Sequence, residues 1–304
     1  MQSSTRWFLI IVSLLLVIGA GGVMIIYLIA IGTSSDETET SGGYGDRVAI
    51  VELNGTIISS EATVKLFKKY RDDHSVRAIV FRIESPGGGV VASQEIYEEV
   101  RKTRSLGIPV VVSMGSVAAS GGYYVACGGT KIMANPGTLT GSIGVISQMM
   151  RYDPLLDKIG VTVTTIKSGK MKDAGNPFRE MTADDKAYFQ KLMDEVHSQF
   201  MGVVEKERKL DHEKTVALAD GRVFTGVEAL GEGLVDSIGT YEDAIRLAAD
   251  MGGIKGEPTI LREKKRRASV LDMLTGESKI SELLNLKEEL LGQPILQYRM
   301  APGF

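Results

Sequence analysis

The sequence contains a single cysteine, Cys127, and three widely separated histidines, His74, His197 and His212. One cysteine excludes an internal disulfide, and no Cys/His group has the spacing of a zinc site. Basic charge is not in excess either. The 35 Lys+Arg against 38 Asp+Glu leave a net charge of −3, without the positive field of a nucleic-acid binder. There is no G-x-x-x-x-G-K-[ST] phosphate loop, no dinucleotide fingerprint after the first strand and no G-x-S-x-G elbow. A Ser-His-Asp triad lacks a usable base. His197 lies midway along a charged helical stretch, His74 sits in the turn-like DDHS, and His212 follows an aspartate in LDHEK. What remains is a chain of 304 residues, 43% hydrophobic, long enough for one large domain or two small ones with a sizeable core.

Charge is also missing from Trp7 to Ile31, WFLIIVSLLLVIGAGGVMIIYLIAI. A bilayer needs roughly 20 apolar residues, and a signal-peptide core only about 7–15. No A-x-A-like cleavage site and no lipidation cysteine follow, so the run reads as an uncleaved anchor. Gly19, Gly21 and Gly22 suit either close helix approach or an ordinary membrane helix. Arg6 precedes the run and Asp36, Glu37 and Glu39 follow it. The positive-inside rule then expects a cytoplasmic N-terminus and an extracytoplasmic remainder of the chain.

Residues 32–45, GTSSDETETSGGYG, read as a polar linker. Strands are expected at 47–55, 76–85, 108–115 and 161–169, and helices at 61–73, 89–106, 183–209, 225–232 and 240–251. Thr182 with Asp185 three residues on forms a capping-box pattern before the long helix. The βαβαβ rhythm of the first half implies an α/β fold with a parallel sheet. After Gly252 the character changes. REKKRR (262–267) is basic, suited to a solvated linker or to anionic lipid headgroups, and 269–291 has helical apolar spacing.

The segment MGSVAASGGYYVACGG (114–129) crowds small residues around Ser120. Serine can be activated by a lysine in place of histidine. Such a lysine works only when neutral, so it needs burial to lower its usual pKa of about 10.4. Lys167, Lys170 and Lys172 follow the expected strand at 161–169, and the residues alone do not choose among them. SPGG (85–88) and SGG (120–122) each follow a parallel strand, where open α/β sheets place their sites. Each glycine pair can bring one backbone N–H to a common oxyanion position.

In this order SPGGGV, GSVAASGGYY, GTLTGSIGV and IKSGKMKD resemble the bacterial signal peptide peptidase A, or protease IV, family in its short single-repeat form. The likeness covers roughly 47–250 and extends to the N-terminal anchor. It implies a Clp-protease/crotonase-like fold of repeated β-β-α units, with a cytoplasmic stub and transmembrane anchor at 1–31, a linker at 32–45, a peptidase domain at 46–252 and a basic and helical tail at 253–304. It further implies Ser120 as nucleophile, Lys172 as general base, Ser142 as the serine orienting that lysine, and the amides of Gly88 and Gly121 as oxyanion donors, with no metal or cofactor. The implied substrates are cleaved signal peptides and other apolar extended peptides. The implied partners are membrane lipid and further copies in a ring, commonly an octamer, with no nucleic acid. Tyr123 and Tyr124 serve packing or a substrate pocket. The tail from about 262, which does not map onto the family, packs on a neighbour or sends its QYRMAPGF end into an active site as an occluding peptide. Three other readings stand beside this one: a sister Ser-Lys protease acting on a membrane partner, a non-catalytic membrane scaffold, and a crotonase-type acyl-CoA enzyme.

Overall fold

The computed structural model describes residues 3–33, 38–41, 45–263 and 297–299. The chain divides into two units, Met1–Glu39 and Thr40–Phe304. The first is one helix of 31 residues, α1 (Ser3–Thr33). Its described side chains are those of residues 7, 8, 10–22 and 24, all exposed. Among the described residues no helix is long and apolar enough to cross a membrane. A short strand, β1 (Thr38–Ser41), spans the boundary of the two units.

The second unit begins with β2 (Arg47–Asn54), α2 (Glu61–Asp72), β3 (Val76–Ser85), β4 (Gly87–Gly89), α3 (Val90–Ser105) and β5 (Val110–Ala119). These match the expected elements to within a few residues, with two differences. β4 was not expected, and β5 continues past 115 to the residue before Ser120. There follow α4 (Gly121–Ala126), β6 (Lys131–Ala134), β7 (Leu139–Gly141), α5 (Asp153–Lys158) and α6 (Ala183–Arg208). The chain continues through α7 (His212–Leu218), β8 (Val223–Thr225), α8 (Gly226–Glu232), β9 (Ser237–Ile238), α9 (Tyr241–Met251), β10 (Thr259–Glu263) and β11 (Gln297–Arg299). The capping box at Thr182 and Asp185 is formed, each side chain bonding the other's backbone amide.

A mainly parallel sheet, in the order β10-β2-β3-β5-β6-β9, carries the core. Side chains alternate across it, as a two-residue period requires. Ala49, Val51, Ile79, Phe81 and Ile83 pack in the core that also holds Phe67 of α2 and Ile96 of α3. Val48, Ile50, Ala78 and Val80 pack against Ala244, Ile245, Ala248 and Ala249 of α9. Both faces are covered, which is why these strands read as almost unbroken apolar runs. The fold is mixed α/β with a parallel core.

One expectation fails. Residues 161–169 form no strand, and Val161, Val163 and Ile166 point outward, Ile166 being 97% exposed. A strand needs a hydrogen-bonding neighbour, and the alternation in VTVTTI finds none among the described residues. The expected helix at 269–291, and the basic run beyond Glu263, lie outside the described residues.

Candidate functional site

Ser120 stands at the junction of β5 and α4, and a bulge aims the end of that strand. β3 and β5 run in register from Ile79/Val110 to Ile83/Met114, then slip so that Ser85 faces Ala118. The Glu84 carboxylate accepts the amides of Ser116 at 2.8 Å and Val117 at 3.0 Å, filling the slip. Past the slip β5 exchanges one neighbour for another. Val111–Ser113 pair with β6, whereas Val117–Ala119 pair with β7.

Ser120 then turns sharply, with φ 52° and ψ −115°, a backbone state that favours glycine. Its amide donates to the Gly141 carbonyl at 2.7 Å, and its carbonyl accepts from Tyr124 at 2.8 Å. Its hydroxyl is fully buried and has no hydrogen-bond partner among the described residues. A buried polar group left unpaired is costly, so the Oγ marks a place where a partner is due.

The glycines around it are required by space. A methyl group on Gly122 would lie 2.8 Å from the Ser85 carbonyl oxygen, and one on Gly88 2.2 Å from that of Ile57. A methyl on Gly121 would lie 2.7 Å from Ser93 Oγ and 3.1 Å from the Gly88 nitrogen. The nitrogen of Gly88 and the first residue of α4 therefore crowd one spot. Ser85 Oγ fixes the turn between them by accepting the Gly87 amide at 3.1 Å.

The other expected residues divide. Ser142 directly follows Gly141, so it stands beside the Ser120 turn; its own backbone is strained at φ 50°, and its amide donates to the Arg222 carbonyl at 2.8 Å. Lys172 lies elsewhere, exposed, on the segment between α5 and α6. Among the described residues no hydrogen bond joins it to Ser120 or Ser142. The structure does distinguish the three lysines. Lys167 pairs with Asp173 and Lys170 with Asp184, while Lys172 has no ion pair among the described residues. Arg179 braces the same segment through Asp173 at 3.0 Å and Asp185 at 2.5 Å. Those bonds, Arg179 first and Lys167 second, hold the Asp173 carboxyl down at about 2.

The two tyrosines after the glycines have different roles. Tyr123 is fully buried and donates its hydroxyl to the Leu234 carbonyl at 2.9 Å, a packing role. Tyr124 faces a cavity that the tail fills. There Gln297–Arg299 form β11, antiparallel to the glycine strand β4, with Tyr298 opposite Gly88. Gln297 also exchanges both backbone bonds with Ile146, at 3.0 and 3.2 Å. Ile57, Ser93, Ile146 and the strand character of 297–299 were not legible as site features. The prolines bracketing PILQYRMAP are the one local hint of an extended segment. A separate groove of about 1160 Å³ between α2 and α3, lined by Lys65, Lys68, Glu95 and Glu98 among others, includes none of these residues.

Comparison with known proteins places the chain in a family. Residues 102–255 match peptidase family S49. A provisionally named protease from Synechocystis sp. is 40% identical over 268 residues, covering 83% of this chain and 96% of that protein. A provisionally named signal peptide peptidase SppA from Enterococcus faecium is 36% identical over 225 residues, 69% of this chain and 65% of its own. Protease 4 from Salmonella typhi is 33% identical over 255 residues, which make up 78% of this chain but 40% of that protein. A buried, strained serine between two glycine turns, on a parallel α/β sheet, is therefore found in a serine peptidase, and the chain belongs to peptidase family S49.

Proposed function

We propose that this chain is a membrane-anchored endopeptidase with a Ser-Lys dyad, acting on extended apolar peptides such as cleaved signal peptides. The observation that carries the reading is the buried Oγ of Ser120, without a partner among the described residues, on a strained turn beside the amide nitrogens of Gly88 and Gly121. Ser120 Oγ attacks the peptide carbonyl carbon as its proton passes to neutral Lys172. The two amides receive the oxyanion, Lys172 returns the proton to the leaving amine, and water hydrolyses the acyl-enzyme. Ser142, beside the nucleophile turn, orients the lysine amine. The core is of the Clp-protease/crotonase kind, with repeated β-β-α units.

Substrate enters as a strand. The edge of β4 accepts an added strand in this chain already, and main-chain pairing of that sort grips peptides of varied sequence. The exposed apolar side chains among the described residues of α1, Trp7, Phe8, Leu14 and Ile18 among them, fit a helix surrounded by lipid, with the peptidase unit on the extracytoplasmic side.

Lys172 reaches Ser120 through assembly. The segment that carries it exposes Leu155, Ile159, Val163 and Ile166, an apolar arm without cover among the described residues. Docking of that arm on a neighbouring copy in a ring, of the octameric kind, brings the lysine to the serine and gives 161–169 the strand partner it lacks.

The test is complementation with the full chain in detergent. Ser120→Ala and Lys172→Ala each lose activity on a fluorogenic apolar peptide while remaining folded. Mixing the two variants restores a fraction of it when the dyad forms between copies. Full activity in Lys172→Ala refutes the base assignment, and two inactive variants that stay inactive on mixing place both groups in one chain.

A further inference from the structure

A base takes a proton from where its amine stands. The Lys172 side chain is exposed and makes no hydrogen bond or ion pair among the described residues, so its place is inherited from the backbone. Between α5 and α6 that backbone holds no helix or strand. Around Lys172 it is a run of turns. The Lys172 amide donates to the Gly169 carbonyl at 3.3 Å, Ala174 to Met171 at 3.1 Å and Asn176 to Asp173 at 3.1 Å. Gly169 at φ 90° and Gly175 at φ 77° bound the run, and glycine in that state brings freedom to a turn as well as shape.

A side chain ties this run to the core. The Arg179 guanidinium makes four hydrogen bonds. Its Nε donates to Asp173 Oδ2 at 3.0 Å and its Nη2 to the Asp173 backbone carbonyl at 2.9 Å. The residue next to Lys172 is thus gripped by its side chain and its main chain at once. Nη1 donates to the Glu180 carbonyl at 3.0 Å and to Asp185 Oδ2 at 2.5 Å. Asp185 is buried, and the same oxygen accepts the Thr182 amide at 3.0 Å in the capping box that starts α6. Arg179 first, and the Thr182 amide second, hold the Asp185 carboxyl well below the usual carboxylate range, so this anchor stays charged. Further along, α6 buries Phe200 and Val204 in the core. A continuous path of bonds runs from the core through α6, Asp185 and Arg179 to Asp173, and so to Lys172.

We propose that Arg179 is the positioning residue for the general base: its fork locks the Lys172 turn to the start of α6, so that the amine is presented at one fixed place. The proposal rests on the reading of Lys172 as the base. A planar fork can meet two carboxylates and a carbonyl at once, whereas an ammonium is a point charge. Lys167 also pairs with Asp173, but its other bond is to the Lys170 carbonyl, so it stiffens the turn without reaching α6. The aim of a base matters steeply. A misplacement of about 1 Å costs about 100-fold in rate.

The experiment uses the full chain in detergent and the fluorogenic apolar peptide. Arg179→Ala lowers kcat by about 100-fold and leaves KM within about 2-fold, because the base moves while the contacts of the peptide stay. Guanidinium ion at a non-denaturing concentration restores part of kcat, and sodium chloride at equal ionic strength does not. Arg179→Lys stays near the alanine value. Where Arg179→Ala does not fold, Asp173→Asn carries the test, with a smaller loss of kcat at unchanged KM. The turn itself is read without activity. A nitroxide on Lys172→Cys, in a chain whose native thiol is buried, gives a broad, immobilised spectrum that sharpens when Arg179→Ala is added. An unchanged kcat, a rise in KM alone, or a nitroxide spectrum indifferent to Arg179 overturns the proposal. Full activity in Lys172→Ala removes the base assignment instead, and the nitroxide then still judges whether Arg179 holds the turn.

Discussion

The amide of Ser120 donates to the carbonyl of Gly141 at 2.7 Å, so the nucleophile turn hangs on the strand that ends just before Ser142. Two strained residues, Ser120 at φ 52° and Ser142 at φ 50°, flank this one bond. The backbone there is held in a state that an L side chain resists. Replacing Ser120 by glycine should relieve it and also remove the unpaired hydroxyl, stabilising the fold by about 1–2 kcal/mol. For a unit of this size that raises Tm by about 2–4 °C or more. Activity should vanish in the same variant. Calorimetry and a peptide assay read both, and a lower Tm would show that the turn is unstrained.

Glu84 acts on the site through the strand that leads to Ser120. Its carboxylate fills the slip in β5 by accepting the Ser116 and Val117 amides. Glu84→Ala leaves both amides unpaired and should cost about 1–3 kcal/mol. The end of β5 should then lose its aim, lowering kcat more than it raises KM. Glu84→Gln keeps one acceptor oxygen and should recover most of kcat. Equal kcat in the alanine and wild-type proteins would remove Glu84 as a positioning residue.

Acid should release the arm that bears Lys172 before it unfolds the core. Arg179 and Lys167 hold the Asp173 carboxyl down at about 2, below an unfolded value of about 3.9. A depressed carboxyl contributes stability that is fully present above the unfolded value and is lost as pH falls through the folded one. The window therefore runs from about pH 4 down to about 2. Hydrogen exchange at 167–185 should accelerate across it while β2, β3 and β5 stay protected. Asp173→Asn should show the faster exchange already at neutral pH.

Cys127 should be silent to thiol reagents. It is buried at the C-terminal cap of α4, and burial pushes its thiol up to about 12. At pH 8 the folded protein should therefore leave Ellman's reagent unreacted and keep its activity, and guanidinium should expose one thiol per chain. Rapid labelling of the native protein would show that α4 opens.

The buried sheet was the most legible part of the sequence, for a plain reason. Each early strand is covered on both faces, so RVAIVELN and VRAIVFRIES carry their fate in their own composition. The glycine turns could be read too, because space forces glycine at Gly88, Gly121 and Gly122 whatever lies further off. Residues 161–169 were misread because alternation reports a willing strand and not the presence of a neighbour. Tyr298 as an occupant of the cavity was illegible for a related reason. Three residues pair with a strand far away in the chain, and no local period announces a contact of that range. Glu84 reads as one more strand carboxylate until the slip at β5 is seen.

β4 is three glycines in a row, and it presents no side chain to whatever lies along it. A visiting chain meets bare amides and carbonyls, which every sequence can answer, provided its own are not already committed. A helix or a folded sheet has none to offer. The strand therefore sorts by state of folding before any residue is inspected, and an unpaired backbone becomes the credential for entry.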